Sequence, residues 1–452
     1  MIFNKIIRIL IYIGIILMPI TTLKIPIIQA VFRGLADYAC FYPFLVALLL
    51  WGLLIIGTNR QVVWPKNKLF VLLLCFIAWV IISGAFNIDS IIDNQILGLS
   101  GINRFFSLFI GLCFYVFVVL LIYNFLSNSK ALLNDVQKIC IVMMAIAGMY
   151  SVFEIGSYFQ LANFYELKMG MDVLVHGDAS FDPRLRSICQ EPSFFAMLVS
   201  FAFPWIVSAV FDYKKYQLLL IVFNLYVMLM AFLTTSRSLY VICIIELIIW
   251  LVLSRDRWMI RRSLYLLPII LLVVIVGGYY VESYMWMDFN VVDVFLSFNK
   301  MDSVSNITRY SAQLAAFDMF VDNPIMGVGL GQYCFYYLQY LPDFGFSSPE
   351  VVLNVNEDNI PITHGLYARI LAETGFVGFV LWMGMIVISL FDLFKKRKEA
   401  NEKYRYNNMI VSLVGISMVG FMHDSFSLFY FWVLLSICLI VTTKDCELED
   451  DE

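Results

Sequence analysis

Long apolar runs separated by short polar breaks fill most of the chain, and about 18 to 25 apolar residues is the length a helix needs to cross a bilayer. Such runs lie near 6–23, 37–57, 69–86, 105–126, 136–160, 192–211, 216–234, 237–254, 263–283, 366–394, 408–424 and 426–443. They predict an all-α polytopic membrane protein of about twelve transmembrane helices. The longest interval between runs, from about 284 to 365, contains Tyr310, Leu314, Phe317 and Val321 at helical spacing. That is the pattern of an amphipathic helix lying at a membrane surface. Pro324 should end this helix. Gly327, Gly329 and Gly331 follow. They lack the Lys-Ser/Thr of a phosphate-binding loop and suit a sharp backbone turn instead. A polar loop then runs to Thr363-His364-Gly365, where the next apolar helix begins with Arg369 and Glu373 already inside it.

Composition supports the membrane reading: 62% of the 452 residues are hydrophobic and 14% charged, with a mean hydropathy of +0.85. A soluble globular chain needs more polar surface than this. The expected organisation is a single transmembrane domain over 1–444, with the extracytoplasmic loop 284–365 between spans nine and ten, and an acidic cytoplasmic tail at 445–452. The net charge of −4 says little about partners, since placement of Lys and Arg matters more than their sum; no nucleic-acid partner is inferred. Lys5 and Arg8 precede an apolar run without an Ala-x-Ala site, which predicts an uncleaved anchor.

Arg60, Lys66, Lys68, Lys130, Lys138, Lys214, Lys215, Arg255, Arg257, Arg261, Arg262 and the run from Lys395 to Arg405 all fall on one side of this layout, together with both termini. The positive-inside rule makes that side cytoplasmic. The loop 161–191, the turn Thr234-Thr235-Ser236, the long loop and the turn at His423-Asp424 then face out, carrying all three histidines, His176, His364 and His423. Of the nine cysteines, five sit in apolar runs as small hydrophobes. Only Cys189 and Cys334 fall in the outer loops, so one disulfide between them is the pairing left open. No internal repeat of the kind many transporters carry is visible.

Three clusters could carry chemistry. Arg184, Arg186 and Glu191-Pro192-Ser193 enter the sixth span. Glu191 and Pro192 suit the first turn of a helix, whereas the two arginines suit an anion, whose oxygens a guanidinium grips in pairs. Arg237 follows the tight turn Thr234-Thr235-Ser236 and either snorkels to a lipid headgroup or holds a fixed anionic ligand. Arg309 is either the polar face of its amphipathic helix or a further cation of the site. Arg369 and Glu373 are four apart, the spacing of an intrahelical ion pair. His364 has no apolar face to explain it, and its near-neutral pKa suits proton abstraction.

Thr363-His364-Gly-Leu-Tyr-Ala-Arg369-Ile-Leu-Ala-Glu373-Thr-Gly375-Phe-Val-Gly378, preceded by Asn323-Pro324-Ile-Met-Gly327-Val-Gly329-Leu-Gly331 and by Ser236-Arg237, resembles the O-antigen polymerase and ligase superfamily of bacterial envelopes, including Wzy-type polymerases. The resemblance implies a GT-C-like, all-helical glycosyltransferase that works at the outer face of the inner membrane on sugars carried by undecaprenyl diphosphate. By position, His364 corresponds to the family's proposed base, and Arg237 and Arg309 to its diphosphate-contacting arginines. Glu191-Pro192-Ser193 is similar to a motif of the polymerase branch, with Arg186 and Arg184 just before it as further contacts and Glu191, Arg369 and Glu373 in support. Gly365 departs from the ligase branch, which often has Asn there.

The chemistry fits the residues independently. Attack of a sugar hydroxyl on an anomeric carbon expels a lipid diphosphate, and preorganised cations stabilise that developing charge best where water is scarce. Asp178, Asp182, Asp343, Glu357 and Asp358 form no DxD pair, so neither a metal nor another cofactor is expected. The implied function is a polymerase joining undecaprenyl-diphosphate-linked repeat units, donor and acceptor, with a chain-length regulator and a flippase as accompanying partners. The ligase of the same superfamily, moving glycan to a lipid A core or another acceptor, is the alternative; a flippase or transporter for a lipid-linked sugar is another. Reporter fusions after Lys398 and near Glu350 should give opposite compartment signals; the same signal from both would overturn the charge-based topology.

Overall fold

The computed structural model describes residues 2–23, 25, 33–58, 61–96, 98–129, 131–159, 161, 163–177, 184–254, 304–356, 359–400 and 402–443. The expected span at 263–283, the arginines 255–262, Asp178, Asp182, Glu357, Asp358 and the acidic tail lie outside the described residues.

Helices dominate, as the apolar runs require. In order they are α1 (Ile2–Ile16), α2 (Phe41–Thr58), α3 (Lys68–Phe86), α4 (Ile88–Asp93), α5 (Gly101–Leu126), α6 (Leu132–Tyr158), α7 (Phe164–Val175), α8 (Pro192–Asp212), α9 (Gln217–Leu233), α10 (Arg237–Leu253), α11 (Val304–Asp322), α12 (Tyr333–Tyr340), α13 (Pro349–Asn356), α14 (Leu366–Glu399), α15 (Lys403–Val419) and α16 (Phe429–Thr443). The strands among the described residues are a two-residue pair, Gln95–Ile96 with Leu99–Ser100. Among the described residues seven helices are long and apolar enough to cross a membrane: α2, α3, α5, α6, α8, α9 with the turn before it, and α14. Four further expected spans are helices of 15 to 17 residues, α1, α10, α15 and α16. At about 1.5 Å per residue these fall short of a ~30 Å hydrocarbon core.

α8 is the hub. Its side chains are buried almost all round, and α6, α9, α10 and α15 pack against it. Two polar contacts fix α15 there: Trp205 Nε1 donates to Ser412 Oγ at 3.1 Å, and Ser412 Oγ donates to Phe201 O at 2.8 Å. Outward-facing Ile56, Leu53 and Leu218 remain exposed, the surface a bilayer would cover.

Two expectations are corrected. The stretch 161–191 is not all loop; it contains α7, which buries Lys168 and Asp172. The apolar run at 366–394 is not one continuous helix, since Gly375 inside α14 has φ +67 and ψ −170. The break is built by the preceding turn, in which Gly327, Gly329 and Gly331 all adopt positive φ, as the glycines foretold. Val328 N donates to Ala372 O and Gly329 N to Glu373 O, both at 2.9 Å, while Phe376 N donates to Pro324 O at 2.8 Å. From α3, Trp79 Nε1 donates to Thr374 O at 2.8 Å, Ser83 Oγ to Met326 O at 2.7 Å and Asn87 Nδ2 to Gly327 O at 3.0 Å. The carbonyls released at the break are thereby paired, which is the condition for interrupting a helix at membrane depth.

α11 ends at Asp322, just before Pro324. Its small residues Ser311, Ala312, Ala315 and Ala316 are buried and let it approach α14 closely. Tyr310, Phe317 and Val321 stay exposed as an apolar stripe. A side chain at Gly375 would have to reach within 2.1 Å of Ile325 O. Gly375→Ala should therefore sharply lower the thermal midpoint in detergent, whereas Gly52→Ala, with open space around its Cβ, should leave it unchanged or raise it, since relieving a helix glycine stabilises by ~0.5–1 kcal/mol. Equal midpoints would refute the account of the break.

Candidate active site

His364 stands two residues before the start of α14, and its backbone lies in the left-handed region at φ +54. A non-glycine residue there costs on the order of 1–3 kcal/mol and persists only where its surroundings impose it. Here Gln313 Nε2, from α11, donates to His364 O at 3.2 Å. Thr363 N donates to Asp424 Oδ2 at 3.1 Å, and Leu366 N to Gly420 O at 2.7 Å. The histidine is thus held between α11 and the turn joining α15 to α16.

That turn is fixed by the Arg369–Glu373 pair. Arg369 Nε meets Glu373 Oε1 at 3.1 Å, the i,i+4 ion pair that the spacing suggested. Arg369 Nη1 also donates to Asp424 O at 2.8 Å, and its guanidinium lies 5.3 Å from the centre of the Phe426 ring. Both residues are buried and act by positioning, with Glu373 O carrying the glycine turn as well.

Two adjoining cavities open around this framework. One, of about 640 Å³, is lined by His364, His423, Asp424, Arg309, Glu191, Glu350 and the segment Asn359–Ile362, among others. The other, of about 260 Å³, is lined by Arg184, Arg237 and Arg309 together with Thr234, Thr235, Ser236, Ser238, Ser193 and His423. Arg309, Ser193, Met422 and His423 belong to both walls. Arg237 opens α10 behind a tight turn in which Thr235 has φ +50 and Ser236 N donates to Thr234 Oγ1 at 3.2 Å. Arg184 is brought near by Leu185 N, which donates to Leu233 O at 3.0 Å.

Electrostatics tie the cavities together. Burial pushes Arg309 below the ordinary arginine range, Glu350 and Glu191 oppose that, and Arg237 and Arg184 add to it. His364 is also pushed below 6.5, first by burial and then by Arg309, against the pull of Asp424, Glu350 and Glu191. His423, pressed 5.1 Å ring to ring against Phe194, is lowered chiefly by burial. At neutral pH both imidazoles are uncharged, so either has a lone pair to accept a proton. Among the described residues no group of three or more His, Cys, Asp and Glu side chains could hold a metal ion.

Arg186 is not brought to this site. Its Nη2 lies 3.3 Å from Asp172 Oδ2, in a buried cluster where Lys168 Nζ reaches the same oxygen at 2.7 Å. Tyr150 also bonds Asp172, and Glu154 accepts from the backbone of Arg186 and Ser187 at 3.3 and 2.8 Å. The carboxylates of α6 and α7 draw Arg186 inward, so it anchors the loop while Arg184 faces the cavity. Glu191 is the N-cap residue of α8 with Pro192 at the first turn, yet its side chain caps nothing; it accepts from Ser193 Oγ at 3.1 Å and lines the larger cavity. Cys189 and Cys334 are both buried and free. Sequence reasoning missed His423 and Asp424 as site residues; the only signal was a polar pair in a short turn between two apolar runs.

Residues 220–383 match the family described as O-antigen ligase. That match supports a likeness of this segment to the O-antigen polymerase and ligase superfamily. The matched segment contains Arg237, Arg309, the glycine turn, His364, Arg369 and Glu373, while Arg184, Glu191, His423 and Asp424 lie outside it. No curated protein matches the chain.

If His364 is the base, activity should be flat through neutral pH and fall as pH drops through its lowered pKa. Arg309→Gln removes one cause of the lowering, so the acid limb of the pH–activity profile should move to higher pH. A limb that stays in place would show that Arg309 and His364 are not coupled.

Proposed function

We propose that the chain is a glycosyltransferase that uses a lipid-diphosphate-linked oligosaccharide at the outer face of a bacterial inner membrane, within a GT-C-like frame of about twelve spans. The observation that carries this reading is the adjacency of the two cavities, one with three arginines and the other with a base-competent histidine, joined through Arg309. Arg184, Arg237 and Arg309 hold the donor's diphosphate; His364 faces the acceptor hydroxyl. As that oxygen bonds to the anomeric carbon, the bond from this carbon to the diphosphate oxygen breaks. The lipid diphosphate leaves with the electron pair, and His364 takes the hydroxyl proton. One displacement inverts the anomeric centre. The guanidinium groups supply charge where it develops, and Glu191 and Asp424 orient the neighbouring polar groups.

Within the superfamily we read the acceptor as another lipid-linked repeat unit, which makes the chain a polymerase. Gly365 supports this: a Cβ there would meet Gln313 Nε2 at 2.9 Å, the group that holds His364 O, so the Asn frequent in the ligase branch would disturb the histidine's support. The ligase reading has its own support in the description of the matching family. Purified protein given only undecaprenyl-diphosphate-linked repeat units should build a ladder of lipid-linked oligomers; product formed only after a lipid A core acceptor is added would decide for ligase. His364→Ala should bind the lipid-linked donor but lose transfer by roughly a hundredfold to ten-thousandfold, the contribution of a positioned base. Transfer at the normal rate would remove His364 from the mechanism.

A further inference from the structure

A third cavity, of about 340 Å³, adjoins the histidine cavity and shares Gln190, Phe194 and Ser425 with it. Its size falls in the ~300–1,000 Å³ range of small-molecule sites. Arg104, in the first turn of α5, lines it together with the hydroxyl-bearing Ser107, Tyr38 and Tyr115.

Arg104 is held in an unusual way for a cation. The glycine turn presses on its stem, because a Cβ at Gly331 would fall 2.9 Å from Arg104 Cγ, and Gln332 Nε2 pins the start of the same helix by donating to Gly101 O at 3.0 Å. Yet the buried Arg104 Nε has no hydrogen-bond partner among the described residues. No carboxylate among them comes within ion-pair distance of it, although Asp37 lines the same cavity. An oriented guanidinium with an unspent buried donor costs free energy unless a ligand completes it.

We infer that this cavity receives the polar head of the acceptor, a phosphate-bearing glycolipid whose phosphate meets Arg104 and whose sugar lies against the hydroxyls and the rings of Tyr38 and Phe194. The inference rests on the reading of the three-arginine cavity as the donor's site. The geometry then forms one trough, with the donor diphosphate at one end, His364 in the middle and the acceptor phosphate at the other end. Phe194, packed on His423, forms the sill over which the acceptor sugar reaches the base. Two substrates, each carrying a phosphate, need two separate cation sites, because a single one would make donor and acceptor compete.

The test counts bound lipids by native mass spectrometry of the full chain in nanodiscs, using undecaprenyl diphosphate in one arm and diphosphoryl lipid A in the other. With one of these probes the wild type should bind at a second position in addition to the donor position occupied by undecaprenyl diphosphate. Arg104→Ala, and separately Ser107→Trp, which fills the cavity without altering the arginine, should each weaken that second binding ~10- to 100-fold, the scale of a lost charge-assisted hydrogen bond. The donor position should survive both variants and disappear in Arg237→Ala. Second binding of undecaprenyl diphosphate would identify a lipid-diphosphate acceptor, and second binding of lipid A a core acceptor; both support the site. Absence of second binding with either probe, or second binding that persists in both variants, overturns it. A donor position untouched by Arg237→Ala would instead count against the donor reading.

Discussion

Everything around the site hangs on one exchange of backbone hydrogen bonds. Where Gly375 interrupts α14, the carbonyls of Ala372 and Glu373 turn to the N–H groups of Val328 and Gly329. In water such a break would be cheap, since solvent would satisfy the freed groups; in an apolar surrounding each unsatisfied group costs several kcal/mol. The glycine turn and the helix break are therefore one object, and neither has a stable form without the other. Trp79, Ser83 and Asn87 of α3 and its cap lock that object to the membrane-spanning frame.

From this joint the site follows. The segment of α14 before Gly375 is aimed independently of the longer segment after it, which lets Arg369 reach the Asp424 turn and sets His364 against α11. α11 is itself packed on α14 by alanines, so Arg309 arrives at the boundary between the two cavities as a consequence of the same packing. The cation that would steady a leaving diphosphate is also a cause of the low pKa of His364. Anion binding and base strength are thus linked: a ligand that neutralises Arg309 makes the neighbouring imidazole more basic.

Much of this was legible in the residues and some was not. The all-helical membrane character, the amphipathic helix, its end near Pro324 and the sharp glycine turn follow from periodicity and from the conformational freedom of glycine. The break at Gly375 did not, because a glycine inside an apolar run is commonplace and the partner N–H groups are distant in the chain. Arg184 and Arg186 looked equivalent along the sequence. They diverge because Glu154 and Asp172, on α6 and the hidden α7, attract one and leave the other facing the cavity. His423 and Asp424 carry no spacing signal at all; only the fold brings them to His364.

The joint at Gly375 also bears on how the chain is assembled. The turn at 324–329 is synthesised before its partner carbonyls in α14. When α14 first enters the bilayer those carbonyls are best satisfied within a straight helix. Bending α14 then means trading intrahelical bonds for bonds to a segment made earlier in the chain. The left-handed backbone of His364 needs Gln313 of α11 and the Asp424 turn as well, so a chain lacking its last two helices would carry His364 without the contacts that hold it.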